Sequence, residues 1–162
     1  NQQPLNAYLT VMGLETLGLR MEKHSKNAQQ VAEFLTNHAG VDWVSYAGLP
    51  SHVSYKNGQK YMKDGMCSAV MTFGIKGGYD AAVDMVNNVK LFSHLANIGD
   101  TRSLLIHPAS TTHSQLTDEQ KTAAGTRPET IRLSIGIEDV RDIIADLDQA
   151  LNYAMSQHKA CA

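Results

Sequence analysis

The sequence predicts an α/β domain: a mixed or mainly antiparallel sheet with helices on one face, preceded by a long connector helix. Three observations lead there. Apolar stripes of helical period alternate with short β-branched runs. The connections between them are uneven, which disfavours a regular parallel array. The 162 residues suffice for one domain with a real core and are too few for two ordinary ones.

From residue 5 to about 38 the pattern is helical: Leu5, Leu9, Met12, Thr16 and Leu19 fall on one face, and Ala28, Val31, Ala32 and Leu35 repeat the stripe. A helix of this length far exceeds the roughly 11–12 residues of an average one. Gly13 and Gly18 mark where it is expected to bend or divide. Its first turns have little to pack against in a lone domain, so two readings stay open: an interdomain connector or a peripheral helix. Gly40 serves as its stop.

Residues 42–46 then alternate as a strand, and 48–52 turn. Residues 53–63 read as an exposed polar helix. Residues 66–75 read as a buried strand stopped by Lys76-Gly77-Gly78. Residues 79–89 form an amphipathic helix with Ala82, Val83 and Val86 on one face. Two short strands follow, 91–96 and 103–106, too close for a helical crossover and therefore expected to be antiparallel. Between them Asn97-Ile98-Gly99-Asp100 is a turn. Residues 108–115 are loop. Thr117 and Gln120 make a capping box for a short helix, and 125–128 are loop again. The run 131–137 is a strand, and Asp139 caps a last helix whose Val140, Ile143, Ile144, Leu147, Leu151 and Met155 share a face.

The bulk numbers exclude several function classes. Hydrophobic residues make up 43 % of the chain, which argues against disorder. A formal net charge of −2, with no basic stripe, argues against nucleic acid. No apolar run approaches the roughly 20 residues of a membrane span, and no signal peptide is seen. Cys67 and Cys161 have no metal spacing, and Cys161 stands at the C-terminus, so a reducing, cytoplasmic setting is expected. The chain opens Asn1-Gln2-Gln3-Pro4 and reads as a piece of a longer protein.

Most candidate motifs dissolve on inspection. His107 and His113 sit across a proline with no acidic or cysteine ligand at metal spacing, so no metal site is expected. Ser110 and Ser134 lack a nucleophile elbow. Residues 74–78 lack the phosphate-loop spacing, so their glycines serve a tight turn. Met62, Met66 and Met71 read as core or edge filler.

Arg132 stands apart. It is one arginine in the apolar run Ile131-Arg132-Leu133-Ser134-Ile135-Gly136-Ile137-Glu138-Asp139. Guanidinium stays charged at any working pH, and its planar fork matches a carboxylate. Such a charge in a strand has two explanations: an internal acid such as Glu138 or Asp139, or an anionic ligand. Asn97, where a strand gives way to a glycine turn, would present an amide NH₂ able to complete the coordination of a carboxylate.

Several segments, taken together and in order, resemble one family: residues 14–24, Phe73-Gly74-Ile75-Lys76-Gly77-Gly78, residues 97–104, His107-Pro108-Ala109-Ser110-Thr111-Thr112-His113, and the Arg132 run. They are similar to the C-terminal domain of the Cys/Met-metabolism pyridoxal-phosphate enzymes, and the similarity covers nearly the whole chain. The resemblance implies the small C-terminal domain of the aspartate-aminotransferase-like (type I) fold. Residues 1–39 would be the connector helix from a cofactor domain, and residues 40–162 the domain that binds the substrate carboxylate. It further implies that Arg132 grips the substrate α-carboxylate and that Asn97 assists.

Asn97 and Asp100 stand where cystathionine-handling relatives usually have Ser and Gly, which favours the O-acetylhomoserine sulfhydrylase branch. Ala96 replaces an acid found in some of those relatives. The implied reaction makes homocysteine from O-acetyl-L-homoserine and sulfide, in methionine biosynthesis. The alternatives are cystathionine γ-synthase, O-succinylhomoserine sulfhydrylase, or a non-catalytic amino-acid-binding module. The resemblance also implies pyridoxal 5′-phosphate and a homotetramer for the full-length enzyme. The family's Schiff-base lysine motif, phosphate-binding segment, ring-stacking aromatic and pyridine-pairing Asp have no counterpart here. This chain alone is therefore expected to bind no cofactor and to be inactive. Residues 110–128 would border the active-site entrance and are expected to be mobile without a partner domain.

Overall fold

The computed structural model describes residues 1–158; Cys161 lies outside them. The long N-terminal stripe divides at Thr16, between the two glycines, into α1 (Pro4–Glu15) and α2 (Leu17–Asn37). Arg20 braces the break by donating from Nε to Thr16 Oγ1 at 3.4 Å and from Nη2 to the Gly13 carbonyl. α1 buries no residue, although Leu5, Tyr8, Leu9, Val11, Met12 and Leu14 are spread around it. A helix that is apolar on all sides fits the interior of a larger body better than a free surface. α2 differs: Ala28, Val31, Ala32 and Leu35 are fully buried.

Among the described residues five strands follow: β1 (Val41–Ser45), β2 (Val70–Ile75), β3 (Ser93–His94), β4 (Leu104–Ile106) and β5 (Thr130–Ser134). They form one sheet in the order β1-β2-β5-β4-β3. The pairs β1–β2, β2–β5 and β5–β4 are antiparallel. The remaining helices are α3 (Tyr55–Tyr61), α4 (Gly78–Asn88), α5 (Asp118–Ala123) and α6 (Val140–His158).

Side-chain alternation decides which face is buried. Met71, Phe73 and Ile75 of β2, Leu105 of β4, and Ile131 and Leu133 of β5 point at α2, α4 and α6, where they join Leu35, Met85, Leu147 and Leu151 in one core. Phe73, Ile131 and Leu133 are each 0 % exposed. On the opposite face Ser45, Thr72 and Arg132 are half-buried, while Leu104 and Ile106 of β4 are buried.

One expectation is corrected: β3 and β4 pair in parallel, through only Ser93–Leu104 and His94–Leu105. The cause lies upstream of β3. Asp146 on α6 accepts the N–H groups of Lys90, Leu91 and Phe92 at 2.8–3.2 Å. The chain therefore enters β3 in a direction set by α6, not by a hairpin with β4. A ladder two residues long needs no helical crossover, and the turn through Gly99 (φ +77°) suffices.

Element boundaries shrink in predictable places. The strand expected over 66–75 starts at Val70, because Asp64 (φ 53°) and Ser68 (φ 75°) hold left-handed conformations that break an extended run. The strand expected over 131–137 ends at Ser134, where Gly136 turns toward the 101–103 segment. Thr117 and Gln120 form the full reciprocal capping box of α5. Asp139 Oδ1 accepts the Arg141 N–H at 2.9 Å, as a helix cap does. No helix among the described residues is long and apolar enough to cross a membrane.

Candidate functional site

Arg132 projects from the face of the sheet opposite α2, α4 and α6. In register it lies between Thr72 on β2 and Ile106 on β4, and Ser45 on β1 extends the row. A cleft of about 440 Å³ beside this row is lined by Trp43, Ser45, Thr72, Gly125 and Arg127. Trp43 lies across Gly74, where an added Cβ would collide with the indole. Its Nε1 donates to Glu129 at 3.3 Å, and the Arg127 guanidinium stands 5.9 Å from its ring centroid.

The internal acids named as partners for Arg132 are both engaged elsewhere. Glu138 accepts the Ser103 N–H at 2.6 Å and the Ser103 hydroxyl at 2.9 Å. Asp139 pairs with Arg141 at 2.7 Å, and that guanidinium holds its carboxyl well below the usual carboxylate range. Among the described residues no carboxylate lies within ion-pair distance of Arg132. Its one hydrogen bond among the described residues runs from Nη2 to the Asn97 main-chain carbonyl, at 3.1 Å. An always-charged fork held at one corner and otherwise unpaired has the donor arrangement a carboxylate ligand requires.

Asn97 is thus brought to Arg132, but through its backbone. Its side-chain Oδ1 accepts the Ile98 N–H at 2.8 Å, which steadies the turn, and the exposed amide NH₂ makes no bond within the described residues. Asp100 shapes the next turn by accepting the Arg102 N–H at 3.0 Å. That bond, and then the nearby Arg102 side chain, lower its pKa.

Sequence reasoning missed the supports behind this strand. His24 Nδ1 lies 2.6 Å from the Ile135 carbonyl, and Asn27 Nδ2 donates to the Gly136 and Glu138 carbonyls at 3.0 and 2.9 Å. Both side chains are buried on the otherwise apolar face of α2. That misplacement in the helical pattern was the available signal.

His107 and His113 do not converge. His107 is 1 % exposed. It bonds through Nδ1 to Ser110 Oγ at 2.9 Å and through Nε2 to the Pro128 carbonyl at 2.6 Å. His113 bonds to its neighbour Thr112. Burial pushes the His107 pKa down, and because a carbonyl only accepts, its proton belongs on Nε2. The imidazole fastens the two ends of the 108–128 loop. Among the described residues no three His, Cys, Asp or Glu side chains gather as metal ligands.

A larger cleft of about 680 Å³ lies between α2 and residues 63–67, with buried Cys67 in its lining, and includes none of the Arg132 row. The lysines among the described residues lie outside the strands around Arg132. All are exposed except Lys121, which stands 3.5 Å from Asp118.

Comparison with known proteins places the chain in a family. Residues 1–152 match the family described as Cys/Met metabolism PLP-dependent enzyme, PLP being pyridoxal phosphate. The chain is 51 % identical to an O-acetyl-L-homoserine sulfhydrylase of Thermus thermophilus over 91 % of its own length and 35 % of that protein. It is 52 % identical to a homocysteine synthase of Schizosaccharomyces pombe over 95 % of its own length and 36 % of that protein. A crystal structure of an O-acetylhomoserine (thiol)-lyase from Campylobacter jejuni, carrying a pyridoxyl-lysine phosphate, superposes with a TM-score of 0.86. There the identity is 46 %, with 92 % of this chain and 35 % of that one covered. The chain thus spans about a third of the length of the proteins it matches. With the family match running over residues 1–152 and the fold shared with a solved relative, the chain belongs to the Cys/Met-metabolism PLP-dependent enzyme family.

Proposed function

We propose that residues 40–162 are the substrate-carboxylate-binding domain of an O-acetylhomoserine sulfhydrylase, and that residues 1–39 connect it to a cofactor-bearing domain. The observation that carries this reading is Arg132, half-buried on the face of the sheet opposite α2, α4 and α6, with no carboxylate within ion-pair distance among the described residues. The similarity to O-acetyl-L-homoserine sulfhydrylase and homocysteine synthase supports an O-acetylated homoserine as the substrate class. The whole enzyme makes homocysteine and acetate from O-acetyl-L-homoserine and sulfide, as a homotetramer in the cytoplasm, without nucleic-acid or membrane partners.

Pyridoxal phosphate, held by the part of the enzyme that this chain does not span, supplies the electron sink for replacement at Cγ. The chain's own work is positional. The Arg132 fork takes the α-carboxylate, and the Asn97 carbonyl fixes the fork's orientation. The exposed Asn97 amide donates a further hydrogen to the bound carboxylate.

The test is product analysis of the full-length protein carrying this chain. Homocysteine formed from O-acetyl-L-homoserine, dependent on added sulfide and faster than from the succinyl ester, supports the reading. Sulfide-independent breakdown of the amino acid, or preference for the succinyl ester, overturns it.

A further inference from the structure

The loop that carries Asn97 is tied to the Arg132 strand by one carboxylate. Glu138 receives both the main-chain N–H and the hydroxyl of Ser103. The same hydroxyl accepts the Gly136 N–H at 2.9 Å. Ile137 N–H adds a bond to the Thr101 carbonyl at 2.9 Å. Ser103 is 0 % exposed, so its donors have no water to turn to. Gly136 permits the close approach: a Cβ there would strike Glu138, the Thr101 carbonyl and the Arg102 main chain. Behind the clasp, Asn27 holds the Gly136 and Glu138 carbonyls, so the clasp is anchored to α2.

We infer that Glu138 is a positioning residue for substrate binding, acting through Ser103 to hold the 97–103 turn against β5 so that the Asn97 carbonyl orients Arg132. This rests on Arg132 being the carboxylate ligand. The turn has a short exit into β4 at Leu104 and its own side chains are mostly exposed. The Glu138–Ser103 contact is thus a charged tie between the turn and the segment that follows β5, beside the Arg132–Asn97 bond itself. In Glu138→Gln, an acceptor remains for the Ser103 N–H. The new NH₂, however, faces a hydroxyl that already accepts from Gly136, and that hydroxyl loses its acceptor. The turn then shifts, and the fork loses its set angle.

The experiment is steady-state kinetics of the full-length enzyme carrying Glu138→Gln, Arg132→Ala, or both, with Ser103→Ala as an independent probe of the same contact. The expected result is a rise in KM for the amino-acid substrate of about tenfold in Glu138→Gln, the size of one lost charge-assisted hydrogen bond, with kcat little changed. Ser103→Ala should shift KM in the same direction. In the Arg132→Ala background the Glu138→Gln effect should vanish, because the two act on one interaction. Equal losses in both backgrounds, or an unchanged KM in both Glu138→Gln and Ser103→Ala, would overturn the inference and leave the Arg132 reading standing. An unchanged KM in Arg132→Ala alone would overturn that reading itself.

Discussion

Arg132 Nη2 stands 3.1 Å from the main-chain oxygen of Asn97, so the turn steers the guanidinium through its backbone and leaves the Asn97 amide free. This separates two roles that the sequence alone merges in one residue. Asn97→Ala removes only the side-chain donor, and KM for the amino-acid substrate should rise about five- to tenfold, the worth of an ordinary hydrogen bond. Asn97→Asp is expected to be worse, because it offers Arg132 an internal carboxylate that competes with the substrate. Steady-state kinetics of the full-length variants, with the order wild type, Ala, Asp in rising KM, checks this.

His107 gives a pH prediction for the domain. Burial sets its folded pKa below the ordinary 6.5, so above that value both folded and unfolded chains hold it neutral and its contribution is fully present. As pH falls below 6.5, the unfolded chain takes up the proton first and stability drops. His94 and Lys121 add positive charge nearby and act in the same direction. Thermal melts between pH 7.5 and about 5 should show a fall in Tm that is shallower in His107→Gln. Parallel slopes would contradict this account of the imidazole.

Phe73 tests the core beneath the site. It is fully buried, next in β2 to Thr72, the residue that pairs with Arg132. Phe73→Ala should lower unfolding stability by about 3–5 kcal/mol, from lost transfer energy plus the cavity left behind. Chemical denaturation of the 162-residue chain provides the readout. A loss below about 1 kcal/mol would mean the site collapses around the smaller side chain.

The segment between residues 111 and 127 should exchange amide hydrogens faster than β5. Most of its side chains are exposed, α5 buries no residue, and His107 fastens only the ends of the loop. Hydrogen exchange followed by mass spectrometry resolves the two segments. Equal protection would show that the loop is held by more than its ends.

Much of the fold was legible because single residues carry local rules. Thr117 and Gln120 announce a capping box, Asp139 a helix start, and the apolar, β-branched run around Arg132 a strand. The direction of β3 was not legible. It depends on Asp146, a buried carboxylate distant in sequence that collects three backbone donors. The helix break was bracketed by Gly13 and Gly18 yet falls at Thr16, where the Arg20 side chain supplies the brace. At the site, Arg132 stood out because a fixed charge in an apolar strand demands a partner. Whether that partner was Glu138 or Asp139 required coordinates, since both lie near in sequence and both turn to other donors. His24 and Asn27 went unread because a helical stripe records polarity and not the carbonyls a polar side chain will meet.

Whether Arg132 receives the substrate carboxylate is decided by the kinetics of Arg132→Ala and Arg132→Lys in the full-length enzyme. Arg132→Ala should lower kcat/KM about ten- to a hundredfold, corresponding to roughly 1.5–3 kcal/mol of charge-assisted hydrogen bonding. Only partial recovery is expected in Arg132→Lys, which keeps the charge and loses the fork. An unchanged kcat/KM in Arg132→Ala would contradict this role for Arg132.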